Sequence, residues 1–144
     1  MKNVNTSWCL LLLLSGLGLA DSFYLSWVKI YHTEVFCGGS SNCETVNSSS
    51  YADLFGIPIA FLGLAAYSVI IGILFIGKQK MFSRDGITFA VFGITLIGTL
   101  FSIYLTYIEI YVIHAICPYC LVSAVVMLLL LILSINKLFK LLME

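Results

Sequence analysis

Cys117-Pro118-Tyr119-Cys120 stands where the last long apolar run of the chain begins. That position predicts a helix with Cys117 at its cap, Pro118 at the first helical place and Cys120 one turn in. Proline is tolerated there because its missing N–H would have had no partner anyway. The partial positive charge of a helix start stabilises a thiolate, the reactive form of cysteine. A second pair, Cys37 and Cys43, lies in the one long polar loop. Whether these four thiols meet at a membrane surface is the question on which the rest of the sequence bears.

The chain has 144 residues, of which 61% are hydrophobic and 10% charged, with a mean hydropathy of +1.09. Soluble domains carry about 25% charged residues, so this is an integral membrane protein. Its formal net charge is zero, and nothing in it suits a nucleic-acid partner. Apolar runs predict four spans, at about residues 8–30, 55–77, 86–113 and 117–140. A span needs about 20 residues, and in lipid each must be a helix to satisfy its own backbone. The expected fold is an all-α, four-transmembrane-helix bundle forming a single domain over residues 1–144, with a cysteine-bearing outer loop between helices 1 and 2.

Lys2, Lys78, Lys80, Arg84, Lys137 and Lys140 fall on one side of this threading and Lys29 on the other. Basic residues favour the cytoplasmic side. Both termini are therefore expected inside, with the loop and motif cysteines at the periplasmic or outer face of the plasma (inner) membrane. Disulfides persist there. The first 20 residues resemble a signal peptide, but apolar character resumes from Phe23 to Ile30, which predicts a retained span.

Cys9 reads as a small buried apolar residue near the inner end of the first helix. Asp21 is an ionisable group inside that span, and such groups are costly enough in lipid to be functional suspects. In the loop, Gly38-Gly39 permits a tight turn, across which Cys37 and Cys43 are close enough to bridge. Ser40 or Ser41 suits the cap of a short helix carrying Cys43 and Glu44. Phe36, Val46, Leu54 and Phe55 are expected to anchor the loop on the membrane. Pro58 is expected in the first turn of helix 2, and Gly63, Ala65, Ala66 and Gly72 to let helices approach closely. On the third helix Tyr104, Tyr107, Tyr111 and His114 share one face, a pattern that suits packing or an interfacial belt. Glu109 lies in the outer half of that span, near the cysteines, and His114 precedes Cys117 by three residues.

Four cysteines could bind zinc, but an oxidising face and the Pro-Tyr filling of the motif favour redox chemistry and no metal. Two inert structural disulfides in a non-enzymatic membrane subunit are the alternative. Relay by thiol–disulfide exchange needs an electron sink. The sequence has no haem, flavin or nucleotide-binding motif, so the sink is one that the bilayer holds, a quinone.

Cys37-x5-Cys43, then Val46, Ser49, Tyr51, Phe55-Gly56-Ile57-Pro58 and Gly63, then Tyr104-Leu105 and Glu109, then Cys117-Pro118-Tyr119-Cys120, together resemble the bacterial branch of the vitamin K epoxide reductase family. The resemblance runs over about residues 16–124. It implies a four-helix bundle around a quinone site that oxidises a thioredoxin-fold partner, with Cys37 and Cys43 exchanging with the partner and then with Cys117, and Cys120 facing the quinone. Ser49 matches the family's loop serine. Ser49, Tyr104, Glu109 and Tyr111 are the candidate quinone contacts. Some relatives carry a fused thioredoxin-like domain; this chain ends at Glu144, so a separate DsbA-like partner is expected. Animal members have a tyrosine four residues after the second motif cysteine, where this chain has Ala124. Ubiquinone or menaquinone is therefore expected rather than vitamin K epoxide, whose dithiol-driven reduction is the nearest alternative.

Overall fold

A computed structural model describes residues 2–39, 42–78 and 83–144. Helix α1 runs over Lys2–Tyr31 and is followed by a short helix α2, Asn42–Ser48. A 3-10 turn, Ser50–Ala52, leads into strands β1, Asp53–Leu54, and β2, Ile57–Pro58. Helices α3, Ile59–Lys78, α4, Arg84–Ile108, and α5, Pro118–Met143, complete the chain, with a π-helical turn, Glu109–Ile113, prolonging α4. Four of these helices are long and apolar enough to cross a membrane. The protein is an all-α membrane bundle.

α1 packs chiefly on α3 and α5, and α4 on α5. The larger core holds Leu11 of α1, Tyr67, Ile70 and Leu74 of α3, Val91 of α4, and Val126, Met127 and Leu130 of α5. Helices in lipid gain little from hydrophobicity alone, so close approach at small residues matters. Gly18 is such a place: a Cβ there would overlap the ring of Tyr67. Gly63 faces the Ser22 hydroxyl at 2.8 Å from where its Cβ would stand, whereas Gly72 has nothing within 4 Å. Of the small residues on α3, then, Gly63 makes a close contact and Gly72 does not. Buried Ser26, Thr95, Thr99 and Ser134 donate to carbonyls one turn back in their own helices, which satisfies hydroxyls that lipid could not.

Two boundaries differ from the sequence expectation. The second span begins at Ile59 rather than at residue 55, because β1 and β2 pair antiparallel, with Asp53 opposite Pro58 and Leu54 opposite Ile57. Phe55 and Gly56 turn this hairpin with positive φ values of 53° and 81°, the mirror-image turn that matches strand twist. Pro58 therefore ends β2 rather than opening the helix. A short apolar run does not distinguish strand from helix. The third span changes winding at Glu109, and His114, at φ 55°, terminates it.

The helix ends carry Lys2, Lys78, Arg84, Lys137 and Lys140 at one end of the bundle and Lys29 at the other. Lys80 and the loop serines Ser40 and Ser41 lie outside the described residues.

Candidate functional site

At the Lys29 end the four cysteines come together. Cys37 and Cys43 form a disulfide with a Cα–Cα distance of 6.1 Å, well within the usual range for a bridge. Gly38 and Gly39 between them have φ values of 62° and 94°, which glycine adopts without a side-chain penalty. α2 turns Cys43 and Val46 inward. Both join Leu25, Val28, Val35, Ala115 and Cys117 in a second buried cluster, against which Cys37, Tyr119 and Cys120 pack. Val46 is thus part of this core and not a membrane anchor, whereas Phe36 and Phe55 are exposed as anchors would be. Cys43 is 0% and Cys117 1% exposed; Cys37 is only partly buried.

Polar bonds fasten the loop over the motif. The Tyr119 hydroxyl donates to the Phe36 carbonyl at 2.7 Å, and the Phe36 N–H donates to the Tyr24 hydroxyl at 3.2 Å. The residue preceding Cys37 is thereby held by a side chain of the motif itself. Lys29 donates to the Asn47 carbonyl at 2.7 Å and pairs with Asp53 at 3.3 Å, tying α1 to α2 and the hairpin.

Cys117 caps α5 in extended conformation, with Pro118 next, as the sequence suggests. The widened turn after α4 brings the buried Glu109 to it: the Cys117 N–H donates to Glu109 Oε2 at 3.3 Å, and the Ala115 N–H to the Glu109 carbonyl at 3.1 Å. Wide turns of this kind recur at functional sites. The Cys120 thiol is within interaction reach of both the Glu109 carboxyl and the Cys117 sulfur, and its single proton serves one of them at a time. Cys120 therefore lies between a sulfur and a carboxyl. The Cys117 thiol is drawn down to about 7, chiefly by the hydrogen bond from Cys120 and further by the N–H groups of Cys120 and Tyr119; burial and the Glu109 charge oppose this. In the reduced protein the Cys117 thiolate is expected to titrate with a midpoint near pH 7, read by thiolate ultraviolet absorbance. Cys120→Ala should move that midpoint up, since it deletes the largest stabilising bond; an unchanged midpoint would contradict this assignment.

Beneath the loop lies a cavity of about 430 Å³ between α1, α3, α4 and α5, in the size range of small-molecule sites. Cys120, Glu109 and Ser49 are on its wall. Its α4 side is Ile94, Ile97, Gly98, Phe101, Ser102 and Leu105, spaced at three and four as one helical face must be. Tyr104 and Tyr111 are not on that face and correct the sequence expectation. They are 56% and 64% exposed on the outside of the bundle, and Tyr111 stacks with Tyr107 at 4.8 Å. His114 is exposed and outside the cysteine cluster. Cys9 is exposed on α1, not buried as the sequence suggested, because that side of the helix faces away from its neighbours.

Two groups on the cavity wall were not placed there by the sequence. Asp21, singled out only as a costly charge, lines it, and its Oδ2 is buried with no hydrogen-bond partner among the described residues. Tyr67 is fully buried, with its hydroxyl 3.0 Å from Ser123 Oγ and 3.1 Å from the Ser123 carbonyl. A hydroxylated ring in the middle of an otherwise apolar run was the available signal.

A membrane helical bundle with two cysteine pairs packed together above an apolar cavity defines a small class of proteins. The chain belongs to the vitamin K epoxide reductase family, whose sequence model matches residues 9–135. It is also similar to "Thiol-disulfide oxidoreductase LTO1" of Arabidopsis thaliana, with 33% identity over 95 residues, 62% of this chain and 25% of that protein. The chain thus spans about a quarter of that curated relative's length.

Proposed function

We propose that this protein is a membrane thiol–disulfide oxidoreductase that oxidises the dithiol of a thioredoxin-fold partner of DsbA type and delivers the electrons to a quinone in the cavity. The observation that carries this reading is the packing of all four sulfurs into one cluster, with Cys120 on the cavity wall. The name of the Arabidopsis relative supports the exchange chemistry. A DsbA-type partner is strongly oxidising, at about −120 mV, so the acceptor must be more oxidising still. The cavity's apolar walls and the unpaired Asp21 oxygen suit a quinone headgroup, ubiquinone or menaquinone, which when bound supplies a sink for two electrons and two protons. Cys120, Glu109 and Asp21 would lie against it. The uneven distribution of basic residues supports cytoplasmic termini and thiols at the periplasmic face.

Cys37 is the more accessible loop sulfur and is the one the partner thiolate attacks. The partner–Cys37 bond forms and Cys43 leaves as thiolate. Cys43 then attacks Cys117 of an oxidised Cys117–Cys120 pair, and Cys120 leaves toward the cavity. The partner's second thiolate displaces Cys37, which attacks Cys43 and frees Cys117. The low pKa of Cys117 makes it a good leaving group in that step. In sum the partner dithiol becomes a disulfide and the Cys117–Cys120 disulfide becomes a dithiol. Reoxidation of that dithiol requires Cys120 to give up its proton, and Glu109 is in place to accept it.

The test is stopped-flow mixing of a reduced thioredoxin-fold dithiol protein with the purified chain and a short-chain quinone, followed by quinone absorbance. Saturable, protein-dependent quinol formation is expected. Cysteines that do not exchange, with no quinol formed, would leave the inert stapled subunit as the answer.

A further inference from the structure

We propose that Asp21 of α1 is the polar contact for a ring oxygen of the quinone, and so sets how the headgroup lies relative to Cys120. The inference deepens the proposed function and rests on it. Asp21 Oδ2 is shut away from solvent and has no partner among the described residues, while its residue lines the cavity. A buried polar atom left unpaired loses its hydration with nothing in return, and an acidic residue within a span is costly to keep. Packing does not explain the residue. α1 is fitted to α3 by Gly18 under the Tyr67 ring and by Ser22 against Gly63.

Several other polar groups of the wall are already engaged. Tyr67 bonds Ser123, Ser49 donates to the Val46 carbonyl, Thr106 to the Ser102 carbonyl, and Glu109 is held by Cys117 and Cys120. Asp21 alone among them presents a buried oxygen with nothing to bond. A quinone offers ring oxygens that only accept, and a carboxylic O–H donates to them. A hydroquinone offers O–H groups, which a carboxylate accepts. One carboxyl thus serves both redox states.

Its position suits that role. Ser123 lies one turn beyond Cys120 on the same face of α5. Tyr67 bridges from Ser123 to α1, its ring resting on Gly18, and Asp21 is one turn along α1 from Gly18. Tyr67 and Asp21 are within electrostatic reach of one another. A headgroup lying across Tyr67 would have the Cys120 sulfur on one side and Asp21 on the other.

The experiment measures equilibrium binding of a short-chain ubiquinone and a short-chain menaquinone to the full chain in nanodiscs, together with the infrared carboxylic C=O band. Wild type, Asp21→Leu and Asp21→Asn are compared. Wild-type binding should shift the carboxyl band. Asp21→Leu should lose that shift and bind about tenfold more weakly, with no lower melting temperature and an unaltered Cys117 titration. Asp21→Asn should recover most of the affinity, because its amide N–H donates to a ring oxygen; a merely structural aspartate would not show this rescue by donor chemistry. Equal affinity of Asp21→Leu and wild type, or quinone binding with no carboxyl shift in wild type, overturns the inference and leaves the relay standing. The infrared arm decides even if Asp21→Leu does not fold. Failure of wild type to bind either quinone removes both the inference and the proposed acceptor. The quinone bound more tightly identifies the ring system.

Discussion

Replacing Cys120 by alanine is expected to stop turnover and to leave Cys43 joined to Cys117. In the relay, Cys120 is the sulfur that leaves when Cys43 attacks Cys117 and the one that then faces the acceptor. Without it, Cys117 has no resolving partner, and with its largest stabilising bond gone it is a poorer leaving group that Cys37 no longer displaces from Cys43. Its thiolate attacks Cys43, the bond between the two forms, the Cys37–Cys43 bond breaks, and Cys37 is released as the free thiol. Cys43 and Cys117 are the two most buried cysteines and share one cluster, which favours exchange between them. Non-reducing peptide mapping should find Cys43 linked to Cys117 and Cys37 open to alkylation, with quinol formation at background. Recovery of Cys37–Cys43 alone, together with wild-type turnover, would remove Cys120 from the mechanism.

The second large effect is expected at Glu109. The Glu109→Gln side chain keeps an oxygen for the Cys117 N–H but cannot take a proton from Cys120. General-base catalysis contributes about 10²–10⁴-fold, and a loss within that range is expected for quinol formation by the pre-reduced protein. The sign at Cys117 is opposite. The Glu109 charge holds the Cys117 thiol up, so its removal should move the Cys117 midpoint below about 7 and enlarge its thiolate fraction at pH 6–7. A lower thiol midpoint combined with slower chemistry separates a proton-handling role from misfolding, which would not produce that pairing. Turnover at the wild-type rate would show that Cys120 loses its proton elsewhere.

Much of the site was legible because cysteines are rare and their chemistry is local. A cap cysteine followed by proline can be read directly, and Cys117 caps α5 as its neighbours dictate. Glu109 was legible too, since a carboxylate in a span demands a partner. The hairpin was not: Phe55-Gly56-Ile57-Pro58 is apolar enough to pass for the start of a helix, and only the pairing of Asp53 with Pro58 reveals strands.

From the residues alone came the four crossings, because backbone in lipid must bond to itself and runs of that length leave only helices. From them too came the placing of both cysteine pairs at one end, since the second pair follows two further crossings of the bilayer. Only the packed molecule decided which side of each helix is the inside. In a soluble helix a polar face marks the outside; a spanning helix is apolar toward lipid and neighbour alike. That is why Tyr104 and Tyr111 point away from the cavity while Asp21 and Tyr67 line it.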